Sequence, residues 1–116
     1  GKIHAMPDLT ASCTITLPTE VEGLVFEFWY CAAAIDAHNW VINTTGNSNY
    51  YVGGLGHSDT TADDNSVAVF ADGNSNDVLE LNVLEACDLH FLSKSTTEWY
   101  VWGTVTSATE PAFADS

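Results

Sequence analysis

Residues 13–34 read CTITLPTEVEGLVFEFWYCAAA and contain two runs of alternating apolar and polar residues. The first run has Cys13, Ile15 and Leu17 on one face, and the second has Leu24, Phe26, Phe28 and Tyr30 on one face and Val25, Glu27, Trp29 and Cys31 on the other. A period of two residues is typical of β-strands. Because a loop from Pro18 to Gly23 separates the runs, the stretch predicts a β-hairpin. The second strand is apolar on both faces, so we expect it to lie centrally in a sheet or against another subunit.

Further short strands are predicted along the rest of the chain. They recur at intervals of roughly ten residues, which is typical of β-sandwiches and barrels. Runs of turn-forming residues at 46–49 and 72–77 predict two more hairpins. The predicted fold is all-β, an antiparallel β-sandwich or barrel of about eight short strands. Residues 1–107 are expected to form one domain, and residues 108–116, which lose the alternation, are expected to form an extended C-terminal arm.

The charge balance of the chain excludes one class of function. Among 116 residues there are 16 acidic residues and only two basic ones, Lys2 and Lys94, which gives a formal net charge of −14. A protein that binds nucleic acid needs a row of cationic contacts to phosphates, so no nucleic-acid partner is expected. The same charge repels anionic membranes. No run reaches the roughly 18 to 20 apolar residues that span a bilayer, so no membrane partner is expected either.

The three cysteines, Cys13, Cys31 and Cys87, are predicted to be reduced, buried thiols, because an odd number in separate segments is not a disulfide framework. A Cys13 to Cys31 bridge remains an alternative. Cys87 and His90 have the spacing C-x-x-H, but residues of opposite parity on a strand face opposite sides of the sheet. A zinc site is therefore not predicted.

One loop carries oxygen ligands at the spacing that begins a calcium loop. The weak calcium candidates are Asp72, Asn74, Asn76 and Asp77. The sixth position of that loop is Asp77 where an EF-hand needs glycine, and the twelfth is Val83 where it needs glutamate. An EF-hand is therefore excluded, and no cofactor is expected. Nothing in the sequence singles out catalytic residues, so the chain is predicted not to be an enzyme.

The aromatic residues outnumber what one small core can hold. The chain contains four Trp, four Tyr and five Phe residues, so some must emerge at the surface. Exposed aromatic rings mark subunit interfaces or carbohydrate platforms, and subunit packing is favoured here because two strands are aromatic on both faces. The predicted interface residues are Trp29, Tyr30, Tyr100, Trp102 and Phe113. Phe113 is expected to dock the C-terminal arm onto a neighbouring subunit or the underlying shell.

Three segments together resemble a module that recurs in structural proteins of tailed bacteriophages: GKIH at 1–4, TITLPTEVEGLVFEFWY at 14–30 and DLHFLSKSTTEWYVWG at 88–103. The positions that correspond are Leu17, Pro18, Gly23, Phe26, Trp99, Val101 and Gly103. The D-G turn usual before the tryptophan is replaced here by residues 95–97, Ser-Thr-Thr.

The resemblance implies a non-enzymatic β domain, commonly trimeric, of the kind found in capsid decoration (cement) proteins, head spikes and tail fibres. We therefore expect a homotrimeric decoration protein at the virion surface whose partner is the major capsid protein. The alternative is a receptor-binding or lectin-like head domain of a tail fibre or spike, in which exposed Trp and Tyr residues would stack on sugars.

Overall fold

A computed structural model describes residues 3–7, 11–19, 22–31, 38–46, 48–60 and 66–115. Within these ranges the chain forms ten strands: β1 (Ile3–Ala5), β2 (Cys13–Thr16), β3 (Val25–Cys31), β4 (Trp40–Asn43), β5 (Tyr50–Asp59), β6 (Ser66–Phe70), β7 (Val78–Leu81), β8 (Leu84–Ser93), β9 (Glu98–Ser107) and β10 (Ala112–Ala114). The same ranges contain no helix, and so none that is long and apolar enough to cross a membrane.

The strands form two sheets. The larger has the order β1-β3-β8-β9-β5-β6 and the smaller the order β10-β7-β4-β2. Three neighbouring pairs are parallel, β1 with β3, β2 with β4 and β5 with β9, and the other pairs are antiparallel. The all-β prediction is confirmed. The prediction of a purely antiparallel arrangement is wrong, because both sheets are mixed, and the described strands do not close into a barrel.

The core lies between the two sheets and draws on both of them. Its largest fully buried side chains are Trp99, Tyr30, Tyr51 and Phe91 from the six-stranded sheet, with Ile42, Leu79 and Leu81 from the four-stranded sheet. In each strand these residues alternate with exposed or half-buried ones, as the period of two requires. The strand faces predicted for β3 are therefore the ones that the structure shows.

The stretch at 13–34 is not a hairpin, because its two strands belong to different sheets. β2 pairs with β4, whereas β3 pairs with β1 and β8. Each end of the connecting loop is held by a different sheet: the Leu17 N–H donates to the carbonyl of Asn43 at 2.8 Å, and the Gly23 N–H donates to the carbonyl of Ser93 at 2.8 Å. Leu17 is buried where the chain crosses the core. The loop is thus an arch over the edge of the sandwich.

The other two predicted hairpins are also crossings. Residues 46–49 connect β4 to β5, and residues 72–77 connect β6 to β7, in each case from one sheet to the other. Among the described strands only two connections, β5 to β6 and β8 to β9, join antiparallel neighbours in one sheet.

The C-terminal residues belong to the fold. β10 pairs antiparallel with β7, and the Asp77 N–H donates to the carbonyl of Ala114 at 3.0 Å. The Phe113 ring lies 5.7 Å from the Tyr51 ring in an edge-on arrangement. The expectation of an extended arm over 108–116 is corrected accordingly. Phe113 is half-buried against the core of its own subunit, and β10 covers the edge of β7 in the smaller sheet.

All three cysteines are free, so the alternative of a Cys13 to Cys31 bridge is not formed. Cys87 is buried, and desolvation together with the nearby charge of Asp88 raises the pKa of its thiol to about 12. Cys31 is exposed at the end of β3 and Cys13 is half-buried. The expectation of buried thiols therefore holds only for Cys87.

Candidate binding face of the six-stranded sheet

The face of the six-stranded sheet that points away from the core, called the outer face here, includes three rows of residues that run across the strands. The aromatic row consists of Glu27, His90, Trp102, Gly54 and Phe70. The middle row consists of Trp29, Asp88, Thr104, Gly56 and Ala68. The hydroxyl row consists of Cys31, Ala86, Thr106, Ser58 and Ser66. Each row takes one residue from each of β3, β8, β9, β5 and β6.

Three large apolar side chains on the outer face remain open to solvent. Trp29 is 51% exposed, Trp102 is 46% exposed and Phe70 is 70% exposed. Aromatic rings of this size are normally covered in a folded domain, and a cluster of them on one face marks a binding surface. The outer face is therefore the strongest candidate site in the described part of the chain.

His90 is held in the centre of this face by three neighbours. Its Nδ1 lies 3.3 Å from Oε1 of Glu27, and its Nε2 lies 3.0 Å from Oδ1 of Asp88. Its ring stacks on the indole of Trp102, with 5.3 Å between the ring centres and 8° between the planes. Because the imidazole is restrained at both nitrogens, it fixes one side of the Trp102 ring. A ring fixed before a ligand arrives loses less conformational entropy on binding.

Two adjoining shallow pockets form what we call the trough, which runs along the middle and hydroxyl rows. One pocket is bounded by Trp29, Asp88, Thr104 and Thr106, and the other by Gly56, Ser58, Ser66 and Ala68. Thr104 lines both pockets and joins them. The floor of the trough is formed by small residues such as Gly56, Ala68 and Ala86, so the larger Trp29 ring stands above it at one end.

Of the five predicted interface residues, the structure brings Trp29 and Trp102 together on the outer face. Tyr100 is on the same face, half-buried beneath the Lys94 ammonium, which lies 5.0 Å from the centre of its ring. Tyr30 is only 1% exposed, so it is not available to another subunit, whereas Phe113 is half-buried against Tyr51. The assignment of Tyr30 to an interface is corrected, and an interface role for the other four stays a prediction.

Sequence reasoning missed the remaining members of the face. Phe70 and His90 are not among the predicted interface residues, and most of the trough is lined by small residues that carry no chemical signature. One signal was available, since Thr104 and Thr106 alternate with buried Val105 and therefore had to share a face with Trp102.

The predicted calcium loop is a hydrogen-bonded turn organised by Asp72. Its Oδ1 accepts the N–H groups of Asn74 at 2.9 Å, Ser75 at 2.8 Å and Asn76 at 3.1 Å. These bonds, that of Ser75 first, hold the pKa of the Asp72 carboxyl well below its usual range. The Asn76 side chain accepts from the Asp72 N–H and donates to Asp115.

The oxygens of this loop therefore serve the turn and its tie to the C-terminal strand, and Asp77 is buried. Among the residues that the structure describes, no three acidic, histidine or cysteine side chains are grouped to hold a metal ion. Cys87 and His90 point to opposite sides of the sheet, as their parity predicts.

The residues that carry the resemblance to the phage module have structural roles in this fold. Leu17, Trp99 and Val101 are in the core, and Gly23 and Gly103 adopt positive φ values of 92° and 141°. They lie in the β2 to β3 arch and in the central strand β9. The rows of the outer face use none of the corresponding positions, although five of their residues lie within the segments that carry the resemblance: Glu27, Trp29, Asp88, His90 and Trp102. Comparisons of the chain with protein-family models, with curated proteins and with solved structures find no match.

Proposed function

We propose that the chain is a non-enzymatic structural protein of a tailed-phage virion. In this proposal it is a capsid decoration protein that binds, as a homotrimer, the outer surface of the shell built by the major capsid protein and stabilises that shell. The observation that carries the proposal is where the phage-like motif falls. Leu17 and Gly23 shape the crossing between the sheets, and Trp99 and Gly103 shape β9. The motif therefore specifies a scaffold, which is what a structural module repeated among virion proteins would share.

The chemistry of the outer face also supports binding rather than catalysis. His90 lies between Glu27 and Asp88 and against Trp102, so its imidazole already has a partner at each nitrogen. A nucleophilic mechanism needs a serine, threonine or cysteine beside its base, whereas within the described ranges the neighbours of this imidazole are two carboxylates and an indole. The exposed rings nearby suit a surface whose role is to adhere.

The number of copies in a purified virion tests this proposal. A decoration protein occupies repeated positions over the whole shell, so quantitative mass spectrometry should find it in numbers comparable with the major capsid protein. Electron microscopy of the same particles should place it on the outside of the head. Absence from the particle, or presence in a few copies at the tail, would overturn the assignment.

A second candidate is the receptor-binding or lectin-like head domain of a tail fibre or spike. The exposure of Trp29 and Trp102 on one face favours it, because half-exposed indoles are suited to stack on sugar rings. The same copy-number measurement separates the two candidates, since a fibre or spike contributes few copies per particle.

A further inference from the structure

We propose that the outer face binds a neutral polysaccharide chain laid along the trough. The inference goes beyond a role in capsid decoration, and it does not depend on where in a virion the protein is located. It assigns Trp29 and Trp102 to a ligand instead of to a second subunit.

The first argument is the combination of stacking surfaces with a polar floor. Trp29 lines one end of the trough, and Trp102 lies in the adjacent aromatic row, two residues before Thr104 on the same face of β9. Pyranose rings have one face rich in C–H groups and a rim of hydroxyls, so they pack flat against aromatic rings while their rims need hydrogen-bond partners. Ligand sites in general combine an apolar lining with a few placed polar groups.

The second argument is the supply of those polar groups. The hydroxyls of Thr104, Thr106, Ser58 and Ser66 line the trough or lie in its rows, and each can both donate and accept. The Asp88 carboxylate is 57% exposed and accepts hydrogen bonds. A sugar hydroxyl also donates and accepts, so this lining matches a chain of sugars better than it matches an apolar surface.

The third argument is the shape of the face. The rows span five strands, and at about 4.8 Å between strands the trough is roughly 19 Å long, which suits an extended chain. The small residues Gly56, Ala68 and Ala86 keep it open. At Gly54 a Cβ atom would collide with the Phe70 ring, so this glycine allows Phe70 to lie across β5. Gly54 is thus a positioning residue for the aromatic row.

The fourth argument is charge, which excludes other occupants. Glu27 and Asp88 are the charged side chains of the three rows, apart from His90, and the chain as a whole has a net charge of −14. Acidic polysaccharides would be repelled. A second copy stacked on the same face would bring the like charges of Glu27 and Asp88 together, and Lys94, a cation on this face, lies over Tyr100 outside the three rows. A neutral ligand avoids both costs.

Binding of the purified full-length chain to soluble polysaccharides tests the inference. The probes are neutral glucan, mannan, galactan and xylan, with hyaluronan as the acidic comparison, measured by affinity electrophoresis and by tryptophan fluorescence. We expect at least one neutral probe to bind and hyaluronan not to bind. Trp29→Ala and Trp102→Ala should each weaken that binding by about tenfold or more, as the loss of a central aromatic contact does. Chelation of calcium should leave the affinity unchanged.

Val78→Ala is the matched control, because Val78 is a half-buried apolar residue in the other sheet. It should bind like the unmodified chain, and urea unfolding should show that all three variants are folded. If no neutral probe binds, or if the folded tryptophan variants bind as well as the control, the inference is wrong. If Trp102→Ala changes the sedimentation of the oligomer, or if polylysine binds the chain while no neutral polysaccharide does, the inference is wrong and the face is a protein interface. None of these outcomes alters the copy number that tests the virion role.

Discussion

At the scale of single residues, Trp29 and Tyr30 are adjacent in the sequence and have opposite environments. Trp29 is 51% exposed and Tyr30 is 1% exposed, because successive residues of β3 face opposite sides of the sheet. We expect Tyr30→Ala to lower the free energy of unfolding by about 3 to 5 kcal/mol, as loss of a buried aromatic ring does. Trp29→Ala should change it by less than about 1 kcal/mol. Urea denaturation of both variants measures the difference, and equal effects would contradict the placement of the two rings.

Asp72 gives the fold a defined dependence on acid. Its pKa is lowered in the folded state by the N–H groups that it accepts, so the carboxylate stabilises the fold above the unfolded-state pKa of about 3.9. That stabilisation is lost as the pH falls through the lower, folded-state pKa. We therefore expect Asp72→Asn to be less stable than the unmodified chain at pH 6. The difference in stability between the two should narrow progressively below about pH 4.

Thermal unfolding over a pH series measures this difference. Glu110→Gln is the control, since it removes one exposed negative charge outside the loop. If the loss of stability relative to the unmodified chain is the same for Asp72→Asn and Glu110→Gln, or if it grows in acid, the hydrogen bonds of the loop are not its cause.

At the scale of elements, period-two patterns predicted the strands and their faces, but turn residues did not predict their partners. Pro18, Gly23 and the Asp72-Gly73 pair predict breaks between strands, and the structure has a break between strands at each of these places. Such a break is compatible with a hairpin and with an arch to the opposite sheet. The choice depends on distant partners such as Asn43 and Ser93, which hold the two ends of the first loop and are invisible in a local sequence window.

The pairing of β9 with β8 requires a glycine at position 103, because Gly103 lets the two strands lie close together. Its φ is 141°, and a Cβ atom there would collide with the carbonyl of Asp88. We expect Gly103→Ala to destabilise the chain by at least about 2 kcal/mol, from backbone strain together with the collision. Gly56→Ala is the matched control on β5, where the nearest atom to an added Cβ is 3.9 Å away. Differential scanning calorimetry compares the two, and a Gly103→Ala midpoint as high as that of Gly56→Ala would refute the close packing.

At the scale of the whole molecule, residues 108–116 decide where the domain ends. Deleting them removes β10 and Phe113, and so uncovers Leu79 and Tyr51. Full burial of a phenylalanine contributes roughly 1.5 to 3 kcal/mol, and Phe113 is half-buried, so losing it together with the β10 pairing should lower the thermal midpoint clearly. Deleting only residues 115–116 keeps β10 and Phe113 and removes the exposed hydrogen bonds that Asp115 accepts from Ser75 and Asn76, so it should have a much smaller effect. If the two deletion variants have equal thermal unfolding midpoints, residues 108–116 are an arm outside the fold.

The candidate site was predictable only in part, for a reason that also belongs to the whole molecule. The sequence shows that β3 and β9 are aromatic on both faces, and so that some rings must emerge. It cannot say which face is covered, because that is decided by the position of the four-stranded sheet. Trp29 and Trp102 were therefore grouped with Tyr30, which the second sheet buries.

The repeated crossings between the sheets have a consequence for how the protein is made. Among the described strands, β3 obtains its antiparallel partner only when β8 has been synthesised, and β5 obtains its parallel partner only with β9. Contacts between distant parts of a chain form slowly, because the loop between them must first be closed. On the ribosome, Phe28 and Tyr30 thus remain in contact with solvent or chaperones until most of the chain has emerged. We therefore expect the strands to fold as one cooperative unit, and a prematurely terminated chain to leave an aggregation-prone fragment instead of a smaller folded domain.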